Sequence, residues 1–486
     1  MNTRLIAILV AAALSGPARA GWEEAVNAYN NGDYASAAKE FRPFAEQGQA
    51  TAQYILGWIF QNGEGVKQDY AESGRWYAKA AEKGNPDAQY AIGSYFLYGT
   101  GVTRDTAQAA AWFRKSAEQG KAGGQYLLGY LLSQGDGVSR NEQEATSWYR
   151  KAADQGYADA QYAYALALSS GSGVDKDEAE ANLWLRKAAD QKHVESAYLL
   201  GWNSERGAGL LPDYAEAAKW YRQAAEAGNP EAQYHLALLL RDGRGVPRND
   251  PLALELFRKA AAAGQSSIPG AVDDYVKAGS FDNAFSLADT WLQKNPDDVQ
   301  LLSLLSLAAA GQARSDPAKF AAPAKAYGDR AIAIIESGKR PSGLDDTQWA
   351  EYPSRWLPQL HLRLGMVAQK AGQLEEAQAR FRKAATLDAK DPYPWYFLGQ
   401  THFTEYERIN AGSRKLDGQA KSDAVGKAFA QLDRVIESYA RAVGLCEAKD
   451  ALRDLREPLL QDLRRIYEFR NGSRSGFDEL LARSRP

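Results

Sequence analysis

The chain has 486 residues, 45% apolar and 24% charged, with 43 Gly, 12 Trp, 26 Tyr, 4 His and one Cys; this is the make-up of a folded protein too long for one compact core, so two domains or a repeat array are expected. Lys and Arg number 58 against 61 Asp and Glu, and a net charge of −3 excludes an electrostatic case for nucleic acid or an anionic membrane surface. The lone Cys446 rules out an intramolecular disulfide and Cys-rich zinc sites.

Residues 1–20 read as a targeting segment. Arg4 forms a short positive region, Leu5 to Leu14 an apolar run, and Ala18-Arg19-Ala20 a small-x-small cleavage motif before Gly21. The run falls short of the ~20 apolar residues that cross a bilayer, no Cys follows the cleavage site for lipid attachment, and no later segment reaches transmembrane length. A cleavable secretory signal, cut after Ala20, and a bacterial periplasmic protein are expected. Residues 21–48 carry only a second-helix pattern (Tyr34, Ala37, Phe41, Ala45, Gly48) and are expected to form an N-terminal half-repeat cap.

From residue 49 to 266 a 36-residue period dominates. Ala52-Gln53-Tyr54 recurs as Ala88-Gln89-Tyr90, Gly124-Gln125-Tyr126, Ala160-Gln161-Tyr162, Ser196-Ala197-Tyr198 and Ala232-Gln233-Tyr234. The same step carries Gly63-x-Gly65-Val66 through the array, and Trp76 to Trp112, Trp148, Trp184 and Trp220. Within one unit Ala52, Leu56, Gly57 and Phe60 mark one face of a first helix. Gly63 and Gly65 break it, a second helix runs from about Tyr70 through Trp76 to Ala81, and Gly84 closes the unit. Ser73, Ala109, Ala145, Ala181, Ala217 and Ala253 let the paired helices approach closely. Each unit leaves an apolar face uncovered, so the units must stack.

These motifs, A-Q-Y-x-L-G, G-x-G-V, W-Y-x-K-A-A and the closing Gly, resemble the Sel-1-like repeat, a subclass of the tetratricopeptide repeat. The fifth unit is looser, with Gly207-Ala208-Gly209-Leu210 in its loop and Lys192 where the others close on Gly. The resemblance implies an all-α, right-handed α-solenoid of helix-turn-helix repeats that serves as a scaffold for other proteins.

After Ser266 to Gly270, a junction, residues 271–486 are similar to ordinary tetratricopeptide repeats with insertions. Leu364-Gly365, Gly372, Ala377 and Phe381 mark one unit, and Leu398-Gly399 opens its successor 34 residues on. A long helix is expected at about Ala324–Ser337 with a surface loop after it, a polar loop at Gly412–Ser422, and one or two capping helices over Leu459–Arg483.

The search for chemistry finds no cofactor motif. His193, His235, His361 and His402 lie far apart, with no acidic or Cys partner at metal-ligand spacing, and H-E-x-x-H, C-x-x-C and G-x-S-x-G do not occur. The G-x-G loops lack the third Gly and follow a helix, so they are not a dinucleotide fingerprint. Glu375-Glu376 and Asp345-Asp346 read as solvated or helix-start charges. No enzyme activity, no metal and no cofactor are expected. The five repeated tryptophans stand beside the Ala stripe of the second helices, where burial of ~150–250 Å² each would serve repeat stacking.

The other face of the first helices is the candidate binding surface, because the resemblance implies that these helices line the concave groove. That face presents Tyr54, Tyr90, Tyr126, Tyr162, Tyr198 and Tyr234, flanked by Trp58, Tyr130 and Trp202 and by the changing polar residues Asn62, Gln134, Glu205, Arg206, Arg241 and Asp242. Two readings of the tyrosine ladder stand: packing against the next first helix, or contact with an extended chain. Trp58, Tyr130 and Trp202 vary between units and are the stronger binding candidates. The expected partner is a protein or peptide within an envelope assembly, secretion or signalling system. A carbohydrate-facing role in exopolysaccharide export or at peptidoglycan is the alternative. A β-lactam-binding or hydrolytic role, linked to cysteine-rich relatives of the repeat, finds no cysteines in these repeats.

Overall fold

The computed structural model describes residues 17–446 and 452–485. Most of the expected signal peptide, residues 1–16, therefore lies outside the described residues. Among those described there are 24 helices and no strand, and 77% of the chain is helical. No helix among them is long and apolar enough to cross a membrane. The protein divides into two compact units, Met1–Leu256 and Phe257–Pro486.

The first unit is a solenoid of antiparallel helix pairs: α1 (Pro17–Asn30) with α2 (Tyr34–Glu46), α3 (Ala50–Asn62) with α4 (Tyr70–Glu82), α5 (Pro86–Tyr98) with α6 (Thr106–Glu118), α7 (Ala122–Gln134) with α8 (Glu142–Asp154), α9 (Ala158–Ser170) with α10 (Glu178–Asp190), and α11 (Val194–Arg206) with α12 (Tyr214–Glu226). Helix α13 (Pro230–Asp242) follows, and α14 (Asp250–Ala263) contains the division between the units. The N-terminal cap differs from its sequence reading. It is a whole hairpin, because α1 buries Trp22 and Ala25 completely against Phe41 and Phe44 without using the repeat motif.

Local chemistry sets the helix ends. Asp69, Asp105, Asn141, Asp177 and Asp213 accept hydrogen bonds from exposed backbone amides at the starts of the second helices, and Asn85 and Asn229 do so for first helices. Glycines 63, 99, 135, 171, 207 and 243 end the first helices in the left-handed region. Lys192 holds the same backbone region at φ 71°, the only non-glycine among the described residues to do so.

The repeat motif has two further roles that only packing reveals. First, in four of the six first helices a core glycine faces an aromatic ring: a Cβ on Gly57, Gly93, Gly129 or Gly201 would lie 2.6–2.8 Å from Tyr77, Phe113, Tyr149 or Tyr221. Second, the buried Gln of x-Q-Y reaches back to the preceding second helix and donates to one of its terminal carbonyls. These bonds are Gln53 to Ala45, Gln89 to Ala81, Gln125 to Ala117, Gln161 to Ala153 and Gln233 to Ala225, at 2.9–3.2 Å. The loose fifth unit has Ala197 instead, and there Gln223 donates at 2.6 Å to the Ala189 carbonyl, which also accepts from the Lys192 backbone N–H at 2.8 Å.

The second unit pairs α15 (Ile268–Lys277) with α16 (Phe281–Lys294), α17 (Val299–Gln312) with α18 (Pro317–Glu336), α19 (Asp346–Lys370) with α20 (Leu374–Leu387), and α21 (Tyr393–Ser413) with α22 (Gly418–Cys446); α23 (Arg453–Asn471) and α24 (Phe477–Arg483) follow. Two expected loops are corrected. The loop after Ser337 ends at Asp345, whose capping box with Gln348 starts α19, and the helix then runs through Pro353 and Pro358. Burial of Tyr352, Leu357 and Leu360, with the Tyr352 hydroxyl donating to the Val299 carbonyl at 3.1 Å, outweighs the lost backbone bonds at the prolines. Likewise α21 and α22 together extend across most of Gly412–Ser422, leaving only residues 414–417 outside a helix.

Candidate binding clefts of the first unit

The tyrosine ladder is half-buried along its whole length. Four of the six rings lean on the second helix of their own unit: Tyr54 on Tyr77 (5.6 Å between centroids), Tyr90 on Phe113 (6.1 Å), Tyr126 on Tyr149 (6.0 Å) and Tyr198 on Tyr221 (6.1 Å). Two rings also lean forward onto the next unit, Tyr126 on Tyr157 at 5.5 Å and Tyr162 on His193 at 5.0 Å. Burial, reinforced by Asp87 and Asp159, pushes Tyr54 and Tyr126 each up to about 12, so both phenols remain protonated hydrogen-bond donors at neutral pH. The hydroxyls of the second-helix tyrosines are met position by position. Tyr77 donates to Gln61 at 2.7 Å, Tyr149 pairs with Ser133 at 3.2 Å, and Tyr221 donates to Glu205 at 2.8 Å. Where the second helix carries Phe113, the equivalent first-helix residue is the apolar Leu97.

The three variable aromatics occupy three different settings. Trp58 packs edge-on to Tyr29 and tilted on Tyr34, at 5.6 and 5.4 Å, and so closes the N-terminal hairpin. Trp202 lies edge-on to His235 at 4.9 Å with the Arg206 guanidinium 4.9 Å over its ring. Tyr130 stays 44% exposed and borders two clefts.

One cleft, of ≈350 Å³, lies between α7 and α9 and is walled by Tyr126, Tyr130, Tyr149 and Tyr162 with Leu166. The fourth unit alone places alanine at both wall positions, Ala163 and Ala167, where the first unit carries Ile55 and Ile59. Its polar rim is Ser133, Gln134, Thr146, Ser170, Ser172 and Glu142. The other, of ≈480 Å³, lies on the opposite side of Tyr130, bordered by Tyr98, Leu127, Arg104 and Asp136. Such walls suit the apolar side chains of an extended chain while the rim hydrogen-bonds its backbone.

The structure thus brings Tyr126, Tyr130 and Tyr162 together and leaves Tyr54, Tyr90 and Trp58 outside these two clefts. At the far end Tyr198, Trp202, Arg206 and Tyr234 gather round His235. There Arg241, half-buried, donates to Asp242 at 2.7 Å. The sequence reading did not select Tyr98, which is 70% exposed. It occupies the repeat position of Asn62 and Gln134, where polar residues were sought, and its aromatic character was the available signal. It also set the histidines apart from any acid, whereas stacking brings His235 to 3.5 Å from Glu205 and His193 to 3.4 Å from Asp159. These pairs are 30 and 34 residues apart in the chain, too far for spacing rules to register.

The repeated tryptophans stand away from both clefts. Trp76, Trp184 and Trp220 are buried and Trp112 and Trp148 half-buried, each with a lysine ammonium 3.5–4.4 Å over its ring. The indole N–H of four of them donates to a glutamate one turn earlier, as in Trp76 to Glu72 at 2.8 Å. Among the described residues no group of His, Cys, Asp and Glu is arranged to hold a metal ion.

Six successive segments, residues 50–85, 86–121, 122–157, 158–193, 194–229 and 230–265, match the Sel1 repeat. Among solved structures, the chain is similar to c5321, a protective antigen present in uropathogenic Escherichia coli strains and displaying an SLR fold, at 23% identity over 92% of this chain and 96% of that one, with a TM-score of 0.54. A Sel1 repeat protein from Oxalobacter formigenes matches at 29% identity over 51% of this chain and 97% of its own, with a TM-score of 0.45. No curated protein matches the chain.

Proposed function

Because residues 50–265 are six Sel1 repeats, units that generally act as protein–protein interaction scaffolds, we propose that this protein is a non-enzymatic periplasmic scaffold that grips an extended peptide segment of a partner in the clefts on either side of Tyr130. The observation that carries this reading is the exposure of Tyr98 and Tyr130 beside two clefts, on a face whose ladder tyrosines are half-buried. Exposed aromatic anchors in preformed pockets supply most of the binding energy at protein interfaces. An envelope assembly, secretion or signalling system is the setting that an exported scaffold serves.

Panning a random peptide library on the full-length mature protein tests the binding claim. Selected peptides are expected to lose about tenfold or more in affinity for the Tyr98→Ala/Tyr130→Ala double variant, with helicity by circular dichroism unchanged. Peptide binding indifferent to both tyrosines overturns the site. Saturable binding of glycan fragments with no peptide selected moves the function to carbohydrate.

The location rests on the Arg4, Leu5–Leu14 and Ala18-Arg19-Ala20 pattern. Protein released by osmotic shock from an expressing bacterium is expected to begin at Gly21. Retention of the intact N-terminus in the cytoplasmic fraction refutes it.

A further inference from the structure

The second unit carries a different kind of surface on α17 and α19. Helix α17 has no charged residue from Val299 to Gln312. Helix α19 aligns Arg355, Gln359, Arg363, Met366 and Lys370 within an arc of about 80°, at roughly 100° per residue. Between the C-terminal ends of the two helices lies a cleft of ≈320 Å³ with Ala310, Ala313, Met366 and Val367 as its apolar wall and Arg314 and Lys370 at its rim. The small Ala310 and Ala313 leave the space, and Arg314 reaches over it to donate to the Met366 sulfur at 3.8 Å.

None of Arg314, Arg355, Arg363 and Lys370 has a carboxylate partner among the described residues, and the cleft is lined by no acid. Within the same unit, by contrast, three cations of α18 and α20 have carboxylate partners. Lys325 pairs with Glu376, Arg380 with Asp329 and Glu376, and Lys383 with Glu336. Two unpaired cations at the rim of an apolar cleft, with Arg363 and Arg355 continuing the same stripe along α19, call for an occupant that is anionic and apolar together. A plain polyanion would leave the cleft wet, and a neutral apolar chain would leave the cations unused.

We infer that the α17–α19 face docks an acidic peptide segment of a partner protein, anchored by one apolar side chain in the cleft between Ala310 and Met366. This surface is separate from the tyrosine clefts and stands whether or not they bind a peptide.

Fluorescence anisotropy with full-length protein and a labelled twelve-residue peptide of Asp and Glu with one central Leu tests it. Saturable binding is expected, weakened about tenfold or more by Arg363→Glu/Lys370→Glu, by Met366→Ala, and by Ser in place of the peptide's Leu. Affinity should also fall as salt rises, while Lys390→Glu, an exposed cation elsewhere in the unit, leaves it within about twofold. Circular dichroism of each variant confirms its helicity. Absence of saturable binding, indifference to the double reversal, or equal binding of the Ser peptide, which is adhesion of any polyanion, overturns the proposal.

Discussion

Gly137→Ala is expected to destabilise the first unit by about 2–5 kcal/mol, whereas Gly156→Ala costs only about 1–2 kcal/mol. Both glycines have positive φ, 71° and 86°, so both substitutions carry the left-handed penalty. The difference lies in what the added carbon meets. At Gly156 there is open space; at Gly137 the Cβ would stand 2.3 Å from the carbonyl carbon of Thr106, backbone at the start of α6 in the preceding unit. Backbone cannot rotate away, so the loop after α7 must lift off its neighbour. The same seat recurs at Gly65, Gly101, Gly173, Gly209 and Gly245, each with a Cβ position 2.2–2.6 Å from the preceding second helix. Because solenoid stability is a sum over neighbouring units, the loss should appear at one junction. Urea denaturation of both variants, with amide hydrogen exchange across α6 and α7, checks this. Equal stability of the two variants would show that the seat is not a constraint.

Acidification should reveal a second large term, at His361. Its ring is 6% exposed, neither nitrogen has a hydrogen-bond partner in the protein, and burial, with the Arg380 cation adding to it, holds the pKa down to about 4. Unfolded histidine titrates near 6.5. Above that pH both states are neutral and the ring contributes no pH dependence. As pH falls from about 6.5 to about 4 the unfolded chain takes up a proton that the folded chain refuses, and stability declines by up to about 1.4 kcal/mol per pH unit. The loss reaches on the order of 3 kcal/mol by pH 4. His361→Leu should flatten this limb most clearly above about pH 5.5, before protonation of the unfolded chain's carboxylates adds the loss from Glu142, Glu144 and Glu376, all held below their ordinary values by hydrogen bonds. His402, also depressed by burial, remains in both proteins and leaves a residual slope. Stability measured by urea denaturation at half-unit pH steps decides the matter; an unchanged slope in His361→Leu would assign it elsewhere.

The 36-residue repeat was legible because helix stops and apolar periodicity are local. Gly63 and its equivalents end helices by their own backbone preference, and Leu56 with Gly57 marks a core face by spacing alone. Where proline and glycine punctuate a segment, the same local logic fails. Pro353 and Pro358 read as a loop, yet the buried Tyr352 and Leu360 hold α19 straight through them. The N-terminal hairpin escaped for the converse reason, since α1 packs through Trp22 with no repeat motif to announce it.

The candidate site was partly legible. Tyr130 stood out by varying at a fixed position, and Tyr126 and Tyr162 by recurring. The cleft they share was not, because it is made by what is missing: Ala163 and Ala167 on α9 together leave space that Ile55 and Ile59 fill in the first unit. The Glu205–His235 contact and the unpaired Arg363 and Lys370 were equally hidden, since partnership between charges is a property of distance in space.

By itself, then, the amino-acid sequence determined the helix pairs of the six repeats, their period and the core positions that recur in them, all set within a few turns of chain by backbone preference and apolar spacing. Only the tertiary structure decided which glycines are seats for a neighbouring backbone, which tyrosines remain exposed, where cavities open and which charges lack partners. Each of those depends on volumes and distances contributed by residues about 30 or more positions apart, brought together when one unit stacks on the next.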